Sequence, residues 1–385
     1  MSERPLRIGF LTYGLDRPLS GISRVAMELG AALQRSGECE VVFLTPYRRG
    51  PFADDPDASS VRLVGCEKLP GLMVLGGPAI SYAARRARLD LVHDPTGVCP
   101  FTLPDAWGTF GRVVTIHDAI AFRFPNGYPA LNNFLQRRYL PMTLRNTDAV
   151  ITVSDFARDD LSHFLGVGPE RLHVVPNGVS KAFRPVDRDT ADVVAARYGL
   201  HRPYMLTVGR AQARKNLDGL FEAVANLDPS IVPHRLALVG PPMWDDSGIA
   251  DMIRKHALED RIVATGYVQD EDLPSIYSGA DFMVFPSLHE GFGLPIIEAM
   301  ACGVPVISSS AASLPEVAGG AALMVDAADP RALAAAIERL ATDERLRDDL
   351  RAKGLKRIEQ FDWDSVAAMT VAVYRRVLRG SDQRH

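Results

Sequence analysis

The sequence predicts an α/β protein of two domains, each a parallel sheet wound by helices, and three observations carry that expectation. Short β-rich apolar runs alternate with longer segments whose apolar residues recur three and four apart, the pattern of repeated strand–helix units. The alternation breaks at a polar, charged stretch, Lys181–Asp192, and then starts afresh. At 385 residues the chain also exceeds the roughly 250–300 residues at which one hydrophobic core stops growing.

Taken in order, Arg7–Tyr13 reads as the first strand and Ile22–Arg35 as an amphipathic helix. Glu40–Thr45, Leu91–His93, Arg112–His117, Ala149–Val153 and Leu172–Val175 supply the further strands of a first domain expected over residues 1–185. A second domain, residues 186–365, takes its strands from Tyr204–Gly209, Leu236–Gly240, Ile262–Thr265, Phe282–Phe285, Val304–Ser308 and Ala322–Val325. Pro330 to Arg379 is Ala- and Leu-rich and reads as helical throughout, with residues 366–385 expected to pack back on the first domain.

Hydrophobic residues make up 47% of the chain and charged ones 23%, values of a globular enzyme-sized protein. A formal charge of −4 offers no basic field for nucleic acid, so any anionic substrate has to be met by locally placed Arg and Lys. Cys39, Cys66, Cys99 and Cys302 are spaced neither for a metal nor for a disulfide framework, which suits a reducing, cytoplasmic setting. The N-terminal apolar run Ile8–Leu11 is too short for a signal peptide core, and no run of about 18 apolar residues follows. Leu72–Leu75, followed by Arg85, Arg86 and Arg88, fits either a buried helix with a basic end or a peripheral touch on the inner face of the plasma membrane.

In such folds helix N-termini and free loop amides collect at the carboxyl ends of the strands, and the motifs fall there. After the strand Phe282–Phe285 comes Glu290-Gly291-Phe292-Gly293-Leu294-Pro295-Ile296-Ile297-Glu298. Its glycines permit close approach to a ligand, Pro295 suits the first helical turn, and the free N–H groups would face a diphosphate. Glu298, among apolar neighbours, needs donors, which ribose hydroxyls would supply. The alternative is a plain turn with Glu298 complementing a helix dipole. Following the second domain's first strand, Gly209-Arg210-Ala211-Gln212-Ala213-Arg214-Lys215-Asn216 gathers cations, with Arg210 and Lys215 chosen as a metal-free clamp on a departing diphosphate, or else a solvated basic loop.

In the first domain His117 and Asp118 sit where a strand ends; His117 would steady a sugar, with Asp118 fixing its tautomer, or is a satisfied core histidine. Gly21, after Ser20, opens a helix and would bring backbone N–H near phosphates; Ser154 reads as a helix cap and Asn177-Gly178 as a turn. Asp55 and Asp57 are discounted as metal ligands, since they lie in a polar loop without clustered His.

These residues together resemble the retaining glycosyltransferases of family 4, whose GT-B fold is two facing Rossmann-like domains, with the Glu290…Glu298 pair matching that family's E-x7-E motif. The resemblance implies that Arg210 and Lys215 bind the donor pyrophosphate, Glu298 the ribose, and Glu290 with the Gly291, Phe292, Gly293 and Leu294 backbone the sugar. His117 would meet the transferred sugar near its reacting carbon, and Gly21 and Val268 complete the donor-binding set. It implies front-face displacement without a protein nucleophile; the residues themselves point to no metal, and no cofactor is expected. The expected partners are a nucleotide-diphosphate sugar and a glycan, glycolipid or small-molecule acceptor. Ser20-Gly21 departs from the family's paired glycines, and Ser308–Ser313 lacks its usual Asn. The run His117–Pro125 is most similar to bacterial mannosyltransferase-type members, making GDP-mannose the first choice of donor and a UDP-sugar the second. A sugar-nucleotide epimerase on the same fold is the competing enzyme, and a degenerate binding protein the non-enzymatic one.

Overall fold

The computed structural model describes residues 4–15, 21–50, 52–54, 59–103, 110–124, 135–240 and 246–382; Ser20, Asp55, Asp57 and Pro125 lie outside them. The chain forms two compact units, the first running to Gly178 and resuming at Trp363, the second spanning Val179–Asp362.

The first unit is built on a parallel sheet of β1 (Leu6–Leu11), β2 (Cys39–Thr45), β3 (Ser60–Arg62), β4 (Leu91–Asp94), β5 (Gly111–Thr115), β6 (Ala149–Thr152) and β7 (Leu172–Val174), in the order β3-β2-β1-β4-β5-β6-β7. Its central strands are apolar almost without interruption because helices cover both faces, and Leu11, Val42, Leu44, Val92, Val114 and Val150 are buried in one core. Chain order reverses between β1 and β4, so the loops leaving those strands border the crevice where α/β sheets take ligands. β3 went unread in the sequence because it is a three-residue edge strand with both ends exposed, paired only along one edge to β2, Ser60 opposite Phe43.

The helix Trp363–Asp382 belongs to this first unit. Tyr374 on it is fully buried and its hydroxyl lies 2.7 Å from His93 Nδ1, while Arg375 pairs with Glu38 at 2.8 Å. Gly111 makes room for this helix, since a Cβ there would sit 2.8 Å from Val377 Cγ1.

The second unit carries β8 (Tyr204–Val208), β9 (Arg235–Val239), β10 (Ile262–Gly266), β11 (Phe282–Phe285), β12 (Val306–Ser309) and β13 (Leu323–Val325), all parallel in the order β10-β9-β8-β11-β12-β13. Here the reversal falls between β8 and β11, the two strands that precede the cationic loop and the glycine loop. The stretch Lys181–Asp192, where the alternation breaks, lies wholly in this unit and contains a helix start: Asp187 caps the helix Arg188–Arg197 by accepting from Thr190 N at 3.0 Å, and Ala191, Val194 and Ala195 are buried. The division between units therefore falls at Gly178/Val179, short of residue 185, and at Asp362/Trp363, short of 365. The helical tail is divided by aspartate: Asp343 ends the helix Pro330–Thr342 and caps Glu344–Arg357 through Leu346 N.

Candidate functional site

In the second unit the site starts from the way β8 ends. Gly209 takes φ +146°, and its carbonyl is approached so closely that a Cβ on Gly240 would lie 2.2 Å from it, which only glycine permits. The chain then makes a short 3-10 turn, Ala213–Lys215, closed by Asn216 in the left-handed region at φ 55°. That strained residue is held because its side-chain amide donates to Ala327 O at 2.6 Å.

The turn sends Arg214 and Lys215 to one carboxylate. Lys215 Nζ lies 2.6 Å from Glu290 Oε1 and Arg214 Nη1 2.7 Å from Glu290 Oε2. Arg214 also reaches the His289 carbonyl, and Leu288 N donates back to Arg214 O, so the loops after β8 and β11 are tied together. Lys215 Nζ sits 4.8 Å over the Phe285 ring. Burial works to raise the Glu290 carboxyl, but the Lys215 and Arg214 charges outweigh it and hold the group below its ordinary range. Arg210 is exposed and, with Gly209, Lys215 and Phe285 to Ser287, lines a small cavity above this cluster.

Beyond Glu290 the backbone passes through Gly291 and Phe292 to Gly293, which takes φ +117° at the start of the helix Leu294–Ala301, with Pro295 in its first turn. The fully buried Ser313 hydroxyl lies 2.9 Å from the carbonyls of both Glu290 and Phe292, donating to one at a time, and so pins the glycine loop from beneath. Phe292 packs edge-on against Phe361. Glu298 is buried one turn into the helix and accepts from the Tyr277 hydroxyl at 2.8 Å, so one donor expected from a ribose is supplied by the protein. Val268 is buried in the loop after β10. Among the described residues no three His, Cys, Asp or Glu side chains come together as a metal site.

In the first unit Gly21 is exposed at the start of the helix Gly21–Arg35. His117, just past β5, has Nε2 3.0 Å from the Pro95 carbonyl, and burial lowers its pKa. Asp118 Oδ1 accepts from Ile120 N at 3.1 Å and starts the short helix Ile120–Arg123, while the Pro95 carbonyl holds the His117 ring. His117 lines a pocket of about 290 Å³ together with Ile22, Met73, Gly97, Gln136 and Tyr139. Ser154 is the cap of the helix Asp155–Leu165, accepting from Ala157 N. Asn177-Gly178, expected as a turn, is open chain leaving the first unit, and Gly178 lies against the Trp363 indole, a Cβ there falling 2.5 Å from Trp363 Cδ2.

Several residues of these two clusters escape sequence reading. Arg214 was passed over beside Lys215 because neighbouring positions give no sign of which one turns inward. Tyr277 and Ser313 reach the glycine loop and its helix from other elements, with no local cue. Asp94 had one: Asp94-Pro95-Thr96-Gly97 at a strand end is the pattern of an Asx turn.

Comparison with known proteins covers both halves of the chain. A family model described as Glycosyltransferase Family 4 matches residues 19–183, and one described as Glycosyl transferases group 1 matches residues 196–357. The chain is 31% identical to the O-antigen chain mannosyltransferase B of Escherichia coli, over 96% of this chain and all of that one. It is 32% identical to the MMP alpha-(1->4)-mannosyltransferase of Mycolicibacterium hassiacum, over 77% and 72% of the two chains. Among solved structures, a sucrose-phosphate synthase from Thermosynechococcus elongatus superposes with a TM-score of 0.78 at 26% identity, covering 97% of this chain and all of that one.

Proposed function

Since this chain belongs to the glycosyltransferases of the GT-B fold, we propose that it moves a hexose, with mannose from GDP-mannose as first choice, from a nucleotide-diphosphate sugar to an acceptor hydroxyl with retention at the anomeric carbon. The observation that carries the site assignment is the pair of cations, Arg214 and Lys215, sharing the single buried carboxylate of Glu290 at the second unit's switch point. Two cations against one carboxylate leave a net positive charge there, beside a glycine loop that opens a helix. A diphosphate is the ligand whose charge and shape answer that arrangement.

In this reading Arg210 and Lys215 hold the pyrophosphate and Glu298 the ribose, while Glu290 with the backbone of Gly291 to Leu294 holds the sugar. His117 meets the transferred sugar, and Gly21 and Val268 complete the donor contacts. The bond from the anomeric carbon to the diphosphate breaks, the bond to the acceptor oxygen forms on the same face, and the acceptor's proton passes to the departing phosphate. Fixed cations stabilise the charge that grows on the leaving group, so the chemistry asks for neither a protein nucleophile nor a metal. The epimerase alternative is set aside, because the family models along both halves are those of transferases.

The acceptor is assigned to the first unit's pocket. Along the helix Leu69–Ala87, Leu72 and Ile80 are buried while Val74, Leu75 and Tyr82 are exposed, and exposed Arg85, Arg86 and Arg88 follow. That surface supports a peripheral contact with an anionic cytoplasmic membrane face and hence a lipid-linked glycan acceptor. No helix among the described residues is long and apolar enough to cross a membrane.

The test is transfer from GDP-mannose, and in parallel from UDP-sugars, to a series of alkyl mannosides in EDTA, with the product's anomeric configuration read by NMR. An α-linked product from the α-linked donor supports the proposal. A β-linked product overturns retention, and no transfer from any sugar nucleotide overturns the activity.

A further inference from the structure

The residue that orders the loop beside His117 lies outside the pocket that His117 lines. Asp94 ends β4 with its carboxylate fully buried, and it gathers three donors from the loop that follows. Thr96 N and Thr96 Oγ1 donate to Oδ1 at 2.9 and 2.8 Å, and Cys99 N donates to Oδ2 at 2.6 Å. The loop is not relaxed: Gly97 takes φ +78° and Cys99, which has a side chain, takes φ +53°. A non-glycine residue persists in the left-handed region only where its surroundings over-determine it, and here the bond to Asp94 Oδ2 does so.

That loop carries the Pro95 carbonyl, 3.0 Å from His117 Nε2. A carbonyl oxygen has no proton to give, so Nε2 must carry the hydrogen and donate it. Burial lowers the pKa of His117, which keeps the ring neutral at physiological pH, and a neutral ring protonated on Nε2 presents Nδ1 as a lone-pair acceptor. The same loop, through Thr96 and Gly97, lines the pocket that His117 borders.

We propose that Asp94 is a positioning residue that, by fixing the Pro95–Cys99 loop, locks His117 as the Nε2–H tautomer with Nδ1 turned into an acceptor for a sugar hydroxyl. The role rests on the assignment of His117 to the transferred sugar. The structural half, the tautomer and its dependence on Asp94, stands independently of it. Asp94→Asn tests the idea closely: the side-chain carbonyl oxygen can still accept from Thr96, but the amide nitrogen would meet Cys99 N with a donor and break that side of the clamp.

The experiment is long-range 1H–15N correlation on the full chain labelled at histidine, with the His117 signals assigned by loss in His117→Gln. The expected result is an Nε2–H signature in the unmodified protein and mixed tautomers in Asp94→Asn. The Asp94→Asn variant should also lose about 10²-fold in kcat with the nucleoside diphosphate affinity unchanged, the scale of loss for a group misplaced by an ångström. Thr96→Val, which removes one side-chain donor and keeps both backbone ones, should give a smaller loss and serves where Asp94→Asn does not fold. An Nδ1–H signature in the unmodified protein overturns the proposal, as does an unchanged tautomer and kcat in the two variants. If the tautomer behaves as expected while His117→Gln keeps full turnover, the clamp stands and the role assigned to His117 in transfer falls.

Discussion

Replacing Glu290 by Gln separates a structural ion pair from a donor site. The substitution keeps the shape and removes the one charge that Arg214 and Lys215 share. The three side chains are only 11%, 16% and 13% exposed for Glu290, Arg214 and Lys215, so solvent compensates the lost carboxylate poorly. Breaking a buried pair from one side costs about 3–5 kcal/mol, and since Gln still accepts one hydrogen bond the lower end applies, about 3 kcal/mol. For a unit of this size that lowers Tm by about 6–12 °C. If the cations serve a diphosphate, saturating nucleoside diphosphate supplies the missing negative charge. At one nucleotide concentration, a hundred times the unmodified protein's Kd, its stabilisation is about 2.7 kcal/mol in that protein and should be larger in Glu290→Gln. Differential scanning calorimetry with and without the nucleotide reads both effects. Equal ligand-induced shifts in the two proteins would refute the shared-charge argument, and a loss below about 1 kcal/mol without ligand would show that the pair was never holding the loops together.

Ser313→Ala should cost about 1 kcal/mol for the lost hydrogen bond and raise the donor KM more than it lowers kcat, because the hydroxyl braces the carbonyls of Glu290 and Phe292 rather than touching the reacting atoms; steady-state kinetics beside chemical denaturation checks it. Gly178→Ala places a Cβ 2.5 Å from the Trp363 ring and should destabilise the protein by about 1–3 kcal/mol, visible in the urea midpoint, whereas Gly37→Ala, with open space around it, should cost only the strain of its positive φ. Burial, helped by His117, pushes His93 down to about 3 from its ordinary 6.5. The group is neutral when folded and protonates first in the unfolded chain, so its contribution is full above pH 6.5 and drains as pH falls toward 3, by up to about 1.4 kcal/mol per pH unit. His93→Gln should flatten the loss of stability measured by urea titration between pH 6.5 and 5. Glu290, held low, adds stability that is complete above its ordinary 4.5 and is lost only in stronger acid.

The parallel sheets were readable because buried parallel strands are apolar on both faces, and runs such as Phe282–Phe285 stand out against their polar surroundings. The glycine loop was readable because Gly293 and Pro295 answer local backbone demands, a left-handed entry and a first helical turn. What stayed hidden is decided by contacts between distant segments. Tyr277 meets Glu298 from another helix, and the Pro95 carbonyl reaches His117 from the neighbouring strand's loop. Local pattern offers ribose hydroxyls and Asp118 as partners and gives no sign of these two. The helix Arg188–Arg197 was hidden by its own charges, since only Ala191, Val194 and Ala195 face inward and so short a stripe scarcely interrupts a polar sequence.

The central claim is that the second unit binds a nucleoside diphosphate through side-chain cations, without a metal. Titration calorimetry of the full chain with GDP, UDP, ADP and dTDP in EDTA tests it most directly. Selective binding of one nucleotide, GDP first, that is lost in Lys215→Ala is the predicted result; no binding of any of the four, or binding that needs a restored divalent cation, would contradict it.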